Sequence, residues 1–119
     1  MANILVHNTR GKDDLERASL AFVVANAALS SGQGATVLLT LEGVWLATQG
    51  YNATLHADGY APLNEIMTSF LQNGGQLWVC GACMKPRQIG PEQLIAGATV
   101  VGAATAVEAL VSGAQTLSF

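Results

Sequence analysis

The sequence has few charged residues for a protein of its size. Of its 119 residues, 11% are charged, against roughly 25% in an average soluble domain. Residues 18–31 and 93–107 contain no charge at all. Because a small domain needs a charged surface to remain soluble, we expect other copies of the chain to cover these stretches in part. The sequence therefore predicts a homo-oligomer.

Long hydrophobic runs and an export signal are also missing. Every apolar run is interrupted well before the roughly 18 residues that a membrane-spanning helix needs. Residues 1–6 have no basic segment and no cleavage signal, and instead have the pattern of a strand. We therefore expect no membrane association and a cytoplasmic location.

Basic residues are scarce, and the net charge is −3. This charge argues against general nucleic-acid binding. The basic residues fall in two short segments, 10–17 and 85–87, which form one cationic edge if the fold brings them together. That edge would suit a small anion or an acidic partner. The link 8–11 leaves a strand for a helix, so weak anion binding is also open there.

The sequence has no metal-binding or cofactor motif. Two cysteines and two histidines do not have the spacing of a zinc site. The glycines at 32 and 34 end a predicted helix rather than follow a strand, so they do not form a phosphate loop. We expect neither a metal nor a cofactor.

Strands and helices alternate along one predicted domain, 1–119. The strands at 35–41 and 76–80 are apolar throughout, as in strands covered on both faces. This order predicts a three-layer α/β fold, with a mostly parallel sheet of about five strands and helices on both faces. The predicted strands are 2–8, 35–41, 76–80, 98–101 and 115–119. The predicted helices begin at an Asp13-x-x-Glu16 capping pattern and at Pro62, cover 103–112, and include short turns at 42–47 and 91–96.

The most informative motif is Cys80-Gly81-Ala82-Cys83, directly after the predicted strand 76–80. A cysteine acts on other molecules mainly as a thiolate, which nearby positive charge favours. Lys85 and Arg87 follow within the same loop. In the cytoplasm, two close cysteines more often do chemistry or bind metal than form a structural bridge. The motif therefore predicts a reactive thiol at Cys80, with Cys83 as a second thiol or a packing residue.

Other candidate residues follow from the fold class. Ligands of parallel α/β sheets bind beyond the carboxyl ends of the strands. His7 and Asn8 end the first predicted strand, and Glu42 follows the second. We expect these residues and Arg87 to contact substrate, with His7 as a candidate proton carrier. The alternatives are a hydrogen-bonded structural histidine and, for Lys85 and Arg87, solvated loop charges. Trp45, Tyr51 and Tyr60 are expected at a pocket or, more in keeping with their type, at a subunit contact.

The segment 80–89 resembles the Cys-x-x-Cys-x-x-x-Arg-Gly-Ile segment of the DsrE/DsrF-like sulfur-relay family, especially its YchN-like branch. The stretches 13–18, 42–44 and 110–119 are also similar to that family. Gln88 departs from the pattern, because the family usually has glycine there, and the departure bears on the geometry of the loop. The resemblance implies a trimer or hexamer that carries sulfur as a persulfide on Cys80 and exchanges it with donor and acceptor proteins.

Three functions are compatible with these observations. The first is a carrier or transferase of sulfane sulfur with Cys80 persulfidated, with turnover left open. The second is a non-catalytic oligomer that binds a small molecule or a protein and whose cysteines are structural. The third is a dithiol redox protein that forms a Cys80–Cys83 disulfide.

Overall fold

The computed structural model describes residues 3–119, which form a five-stranded parallel sheet with helices on both faces. The strands are β1 (Asn3–Asn8), β2 (Gly34–Leu39), β3 (Gln76–Cys80), β4 (Ala98–Val101) and β5 (Gln115–Ser118). The helices are α1 (Leu15–Ser30), α2 (Leu63–Gln72), α3 (Gly81–Met84) and α4 (Ala103–Val111). Their order confirms the predicted α/β fold class. Ala2, predicted in the first strand, lies outside the described residues.

The strand order is β4-β3-β2-β1-β5, and every pair is parallel. The chain first moves from β1 through β2 and β3 to β4, so each new strand is added to the same edge. The segment that contains α4 then crosses the whole sheet to place β5 beside β1. Parallel strands need such crossover connections, and reversing the direction of travel puts the crossing helix on the opposite face.

One face of the sheet, here called the α1 face, carries the main hydrophobic core. Side chains alternate between faces along a strand, and Val6, Val37, Leu39 and Val79 point to this side, where they are fully buried. Helices α1 and α2 cover them and pack on each other through an edge-to-face contact. The Phe22 and Phe70 rings in that contact are 5.6 Å apart.

The other face, here called the α4 face, is covered less completely. Leu5 and Thr36 are buried there near the middle of the sheet. Helix α4 has no buried residue, and β5 is exposed along its length. Central strands buried on both sides explain the uniformly apolar sequence of β2, as expected.

Three local predictions are wrong. The predicted second strand extends to Leu41, but β2 ends at Leu39, because Leu41 has a φ of 52° and begins a 3-10 helix at Leu41–Ala47. The cap of α1 is Asp14, whose carboxylate accepts from the Arg17 N–H, rather than Asp13. Asp13 instead accepts from the Gly11 N–H at 2.7 Å and so closes the preceding turn. The segment 91–96 has a 3-10 turn at Pro91–Gln93 only.

No helix in residues 3–119 is long and apolar enough to cross a membrane.

Candidate functional site

Cys80 and Cys83 lie together at the carboxyl end of the sheet. Cys80 is the last residue of β3 and the cap of α3, and Cys83 is on the single turn of that helix. Both thiols are free and partly exposed. The two side chains are hydrogen-bonded to each other. The structure therefore brings the two predicted cysteines into direct contact at an accessible edge.

The two thiols are not equivalent. Burial raises the pKa of the Cys83 thiol, and its hydrogen bond to Cys80 raises it further. A hydrogen bond from the Leu41 main chain and the charge of Arg87 oppose this rise without cancelling it. Cys83 therefore stays protonated at neutral pH and can donate its S–H to Cys80.

Leu41 is a site residue that the sequence does not indicate. Its positive φ places it in the left-handed region, which leucine rarely adopts. In this conformation its main chain reaches the Cys83 sulfur, while its side chain is exposed. Sequence reasoning had no signal for it, because the residue types that favour this conformation are glycine, asparagine and aspartate.

Arg87 and Glu42, both expected to contact substrate, contact each other. Arg87 Nε lies 2.7 Å from Glu42 Oε2, and its Nη1 donates to the Cys83 carbonyl at 3.1 Å. Arg87 thus ties the cysteine loop to the segment Leu41–Ala47. Its guanidinium is already shared between a carboxylate and a carbonyl, so it holds the loop in position in this structure.

His7 lies on the α4 face and borders a cavity together with Cys80. Its Nε2 is 2.7 Å from Thr40 Oγ1. Burial lowers the pKa of His7, so its imidazole is neutral at pH 7. Thr40, which follows β2 directly, is a second residue that the sequence analysis missed. The predicted strand 35–41 included Thr40, so the boundary error concealed its place at a strand end, where ligands of parallel sheets bind.

The cavity has a volume of about 340 Å³ and lies between the α4 face and helix α4. It is bordered by the polar side chains of His7, Thr40 and Cys80. The apolar side chains around it include Leu38, Val101 and Val107. A thiol at the edge of a cavity is in a position to react with a small molecule or a protein segment that enters it.

Asn8, the remaining candidate, is fully buried. Its Nδ2 donates to the Arg10 carbonyl at 3.0 Å, and its Oδ1 accepts from the Arg10 N–H at 3.1 Å. Both ends of the amide are therefore used to shape the loop after β1. Asn8 therefore holds the loop that follows β1 and is not among the residues that border the cavity.

The two basic segments, 10–17 and 85–87, both contact the segment Leu41–Ala47. Gly43, next to Glu42, packs against the main chain of Asn8 and Arg10, while Glu42 itself pairs with Arg87. Most of the cations are engaged, however. Arg10 pairs with Asp13, Arg17 with Asp14, and Lys12 lies 4.5 Å from the centre of the Tyr51 ring. The edge is therefore less cationic than the sequence suggests. Tyr51 also stacks on Trp45.

Gln88 adopts φ 56° and ψ 38°, the left-handed conformation in which glycine is favoured. The backbone at position 88 therefore has the conformation that favours glycine, the residue usual in the family, although this chain has glutamine there. Its N–H donates to the Lys85 carbonyl, and the next residue, Ile89, donates to that of Met84. These bonds close the loop that follows the cysteines.

Within residues 3–119, no three His, Cys, Asp or Glu side chains lie close enough together to hold a metal ion.

Comparison with known proteins identifies the family. Among solved structures, the ychN protein of E. coli superposes with a TM-score of 0.82 at 17% identity, covering 100% of this chain and 99% of that one. A protein of unknown function from Methanobacterium thermoautotrophicum gives 0.81 at 14% identity, with both chains covered completely. These likenesses show the fold.

Two sequence relatives are similar to this chain and are themselves uncharacterized. One, from Methanocaldococcus jannaschii, is 26% identical over 86% of this chain. The match spans 37% of the length of that protein. The other, from Methanopyrus kandleri, is 30% identical over 69% of this chain, which spans 64% of that protein. The sequence profile of the DsrE/DsrF-like family matches residues 2–119. With nearly its whole length matched, this chain belongs to the DsrE/DsrF-like family.

Proposed function

We propose that this chain carries sulfane sulfur as a persulfide on Cys80, as a sulfur carrier or sulfurtransferase. Family membership supports a role in sulfur relay in general. The single observation that carries the finer proposal is the placement of Cys80, partly exposed beside a cavity with a second thiol in hydrogen-bond contact. A purely structural cysteine needs neither the cavity nor the second thiol.

Transfer takes two substitutions at sulfur. The Cys80 thiolate attacks the outer sulfur of a donor R–S–SH, forming Cys80–S–SH and releasing RS⁻. An acceptor thiolate then attacks the outer sulfur of that persulfide, and Cys80 leaves as the thiolate. Cys83, held protonated, donates a hydrogen bond to Cys80 and so stabilises it as both attacking and leaving group. Donor and acceptor are proposed to be other proteins or small thiols.

A dithiol redox function is the second candidate, and the contact between the two sulfurs favours it. Cys83 can attack the inner sulfur of the Cys80 persulfide, forming a Cys80–Cys83 disulfide and releasing hydrogen sulfide. The same contact allows an oxidant to form that disulfide directly. Both chemistries suit a reducing compartment, and we propose the cytoplasm.

We also propose that the working protein is a homo-oligomer in which α4 packs on another copy of this chain. Leu110 and Val111, near the end of α4, are exposed. The one charged residue of α4 is Glu108. Such a surface resembles the apolar centre of a subunit interface more than a surface in contact with water. A trimer or hexamer would accommodate it.

The test of the main proposal is the mass of the intact protein after incubation with a small organic persulfide. We expect a gain of one sulfur atom, reversed by a reducing thiol. Cys80→Ser is expected to abolish the gain, whereas Cys83→Ser, which removes only the supporting thiol, is expected to retain it at a lower rate. Loading that survives Cys80→Ser would contradict the proposal. A disulfide between the two cysteines in place of a persulfide, found by peptide mapping, would favour the redox function.

A further inference from the structure

The cavity beside Cys80 differs from the rest of the site in its lack of charge. Of the residues 3–119, those that border it include no Asp, Glu, Lys or Arg. Its polar side chains are Cys80 itself, His7 and Thr40. The last two are hydrogen-bonded to each other, and burial keeps His7 neutral at pH 7. The remaining side chains around it are alanine, leucine and valine, such as Leu38 and Val101.

The charged residues of the site lie elsewhere. Arg87 and Glu42 are paired with each other, and Arg87 approaches the cysteine loop through the Cys83 carbonyl. Lys85 borders a neighbouring groove that shares Ala82, Val101 and Gly102 with the cavity. It is not among the residues that border the cavity itself. An anionic group placed against Cys80 would therefore exchange part of its hydration for a lining without a charged side chain.

For an apolar group, the free energy of entering the cavity is favourable. Burying a carboxylate without a partner is strongly unfavourable, whereas burying a hydrocarbon is favourable by about 25 cal/mol per Å² of surface removed from water. The volume of about 340 Å³ lies at the small end of the range for ligand pockets. It admits a single ring or a short branched chain.

Building on the Cys80 persulfide proposed above, we infer that the sulfur donor or acceptor that enters this cavity is a thiol carrier with a small, uncharged, apolar substituent. In the loading step, the Cys80 thiolate attacks the outer sulfur of R–S–SH. The S–S bond of the donor breaks, and RS⁻ departs with the electron pair. The apolar R lies among Leu38, Val101 and Val107 while the sulfur faces Cys80. Carriers with an acidic substituent, such as a carboxylate, are disfavoured.

The test uses two donors that differ in one group. Benzyl hydropersulfide and its 4-carboxybenzyl counterpart are compared by the initial rate of persulfide formation on Cys80, each normalised to its rate with a small free thiol. We expect the uncharged donor to load at least about tenfold faster, because the carboxylate has no partner in the cavity. Equal rates, or faster loading from the carboxylate, would overturn the inference and leave the proposed function intact.

A matched pair of variants on α4 links the preference to the cavity. Val107 borders the cavity, whereas Ala104, on the same helix, does not. Both residues are exposed, so lysine is tolerated at either position. Val107→Lys is expected to speed loading from the carboxylate and reduce the ratio of the two rates towards one. Ala104→Lys is expected to leave the ratio unchanged, and the same drop in both variants would contradict the assignment.

A second measurement separates the inference from the sulfur chemistry. Alkylation of Cys80 by N-benzyl iodoacetamide and by its 4-carboxybenzyl counterpart needs the same cavity but no sulfur transfer. We expect the same preference as for loading. If the alkylation preference is found but neither donor forms a persulfide, the proposed function fails while the apolar character of the cavity stands. If alkylation shows no preference, the inference itself fails.

Discussion

At the scale of single residues, Gln88 shows how the loop after the cysteines is held. An L-residue in the left-handed region costs about 1–2 kcal/mol relative to the right-handed region, and Gln88 is in this region. Its main chain is fixed there by the hydrogen bonds that close the loop. The left-handed conformation is thus unfavourable for glutamine and is maintained by the hydrogen bonds of the loop.

Gln88→Gly is therefore expected to stabilise the protein. Glycine relieves the left-handed strain but loses more backbone freedom on folding, so the net gain is about 0.5–1 kcal/mol. The free energy of unfolding from urea titration measures it. Lys85→Gly in the same loop is the control. Lys85 has an ordinary φ of −56°, and glycine there is expected to destabilise by about 0.5–1 kcal/mol. A loss of stability in Gln88→Gly would show that the glutamine side chain makes a contact worth more than the strain.

At the scale of elements, the segment Leu41–Ala47 connects β2 to the site. It supplies the Leu41 main chain to Cys83 and the Glu42 carboxylate to Arg87. Gly43 fixes its position, because a Cβ there would lie 2.5 Å from the Asn8 carbonyl oxygen. That oxygen also accepts from the Thr40 N–H. The Asn8 carbonyl and the Gly43 main chain therefore cannot move without disturbing the ends of β1 and β2.

Gly43→Ala is expected to destabilise the protein by about 1–3 kcal/mol, the usual cost of overpacking. It should also separate Glu42 from Arg87. Thermal unfolding measures the first effect. The displaced segment also withdraws the Leu41 hydrogen bond, which lowers the pKa of Cys83. The pKa of Cys83 is therefore expected to rise, and the rate of its alkylation at neutral pH to fall.

Gly81→Ala is the contrasting substitution in the same site. A Cβ at Gly81 would lie 3.1 Å from Val100 Cγ1, and Val100 is a partly exposed side chain that can adjust. Alanine also favours the helix, so a nearly neutral result is expected. Equal losses in the two variants would contradict the special role given to Gly43.

The elements also show how far the sequence alone could predict this protein. Apolar periodicity and turn residues identified every strand, and the order of elements identified the parallel sheet. The Cys80–Cys83 motif identified the family. The Glu42–Arg87 pair and the cover that α4 gives to the cavity were not predicted, because they depend on contacts between residues far apart in the chain. Leu41 was missed since its conformation contradicts its intrinsic preference, which tertiary contacts override.

At the scale of the whole molecule, the two faces of the sheet are unequally covered. The α1 face is closed by two helices, whereas the α4 face has one helix with no buried residue. Residues 93–107, which contain no charge, lead into α4. The proposed contact between copies of the chain, through Leu110 and Val111, would bury part of this side.

Charged substitutions on α4 are therefore expected to weaken the oligomer. Leu110→Glu combined with Val111→Glu places two carboxylates on the proposed interface, where desolvation is unfavourable. Light scattering after size exclusion is expected to show a smaller species than for the unmodified protein. Thr68→Glu, on an exposed site of α2, is the control and is expected to keep the original size. An unmodified protein that elutes as a monomer would contradict the proposal.

The position of β5 beside β1 has a consequence for the order of folding. Ile4 is paired with Gln115, and the Thr9 N–H donates to the Phe119 carbonyl. During synthesis β1 can meet β2 early, but its other edge stays unpaired until β5 emerges. Pairings between such distant residues form slowly, and unpaired edges favour aggregation. The earliest strand of the sheet thus depends on the latest one, so a nascent chain is vulnerable to association through β1 until β5 has been made.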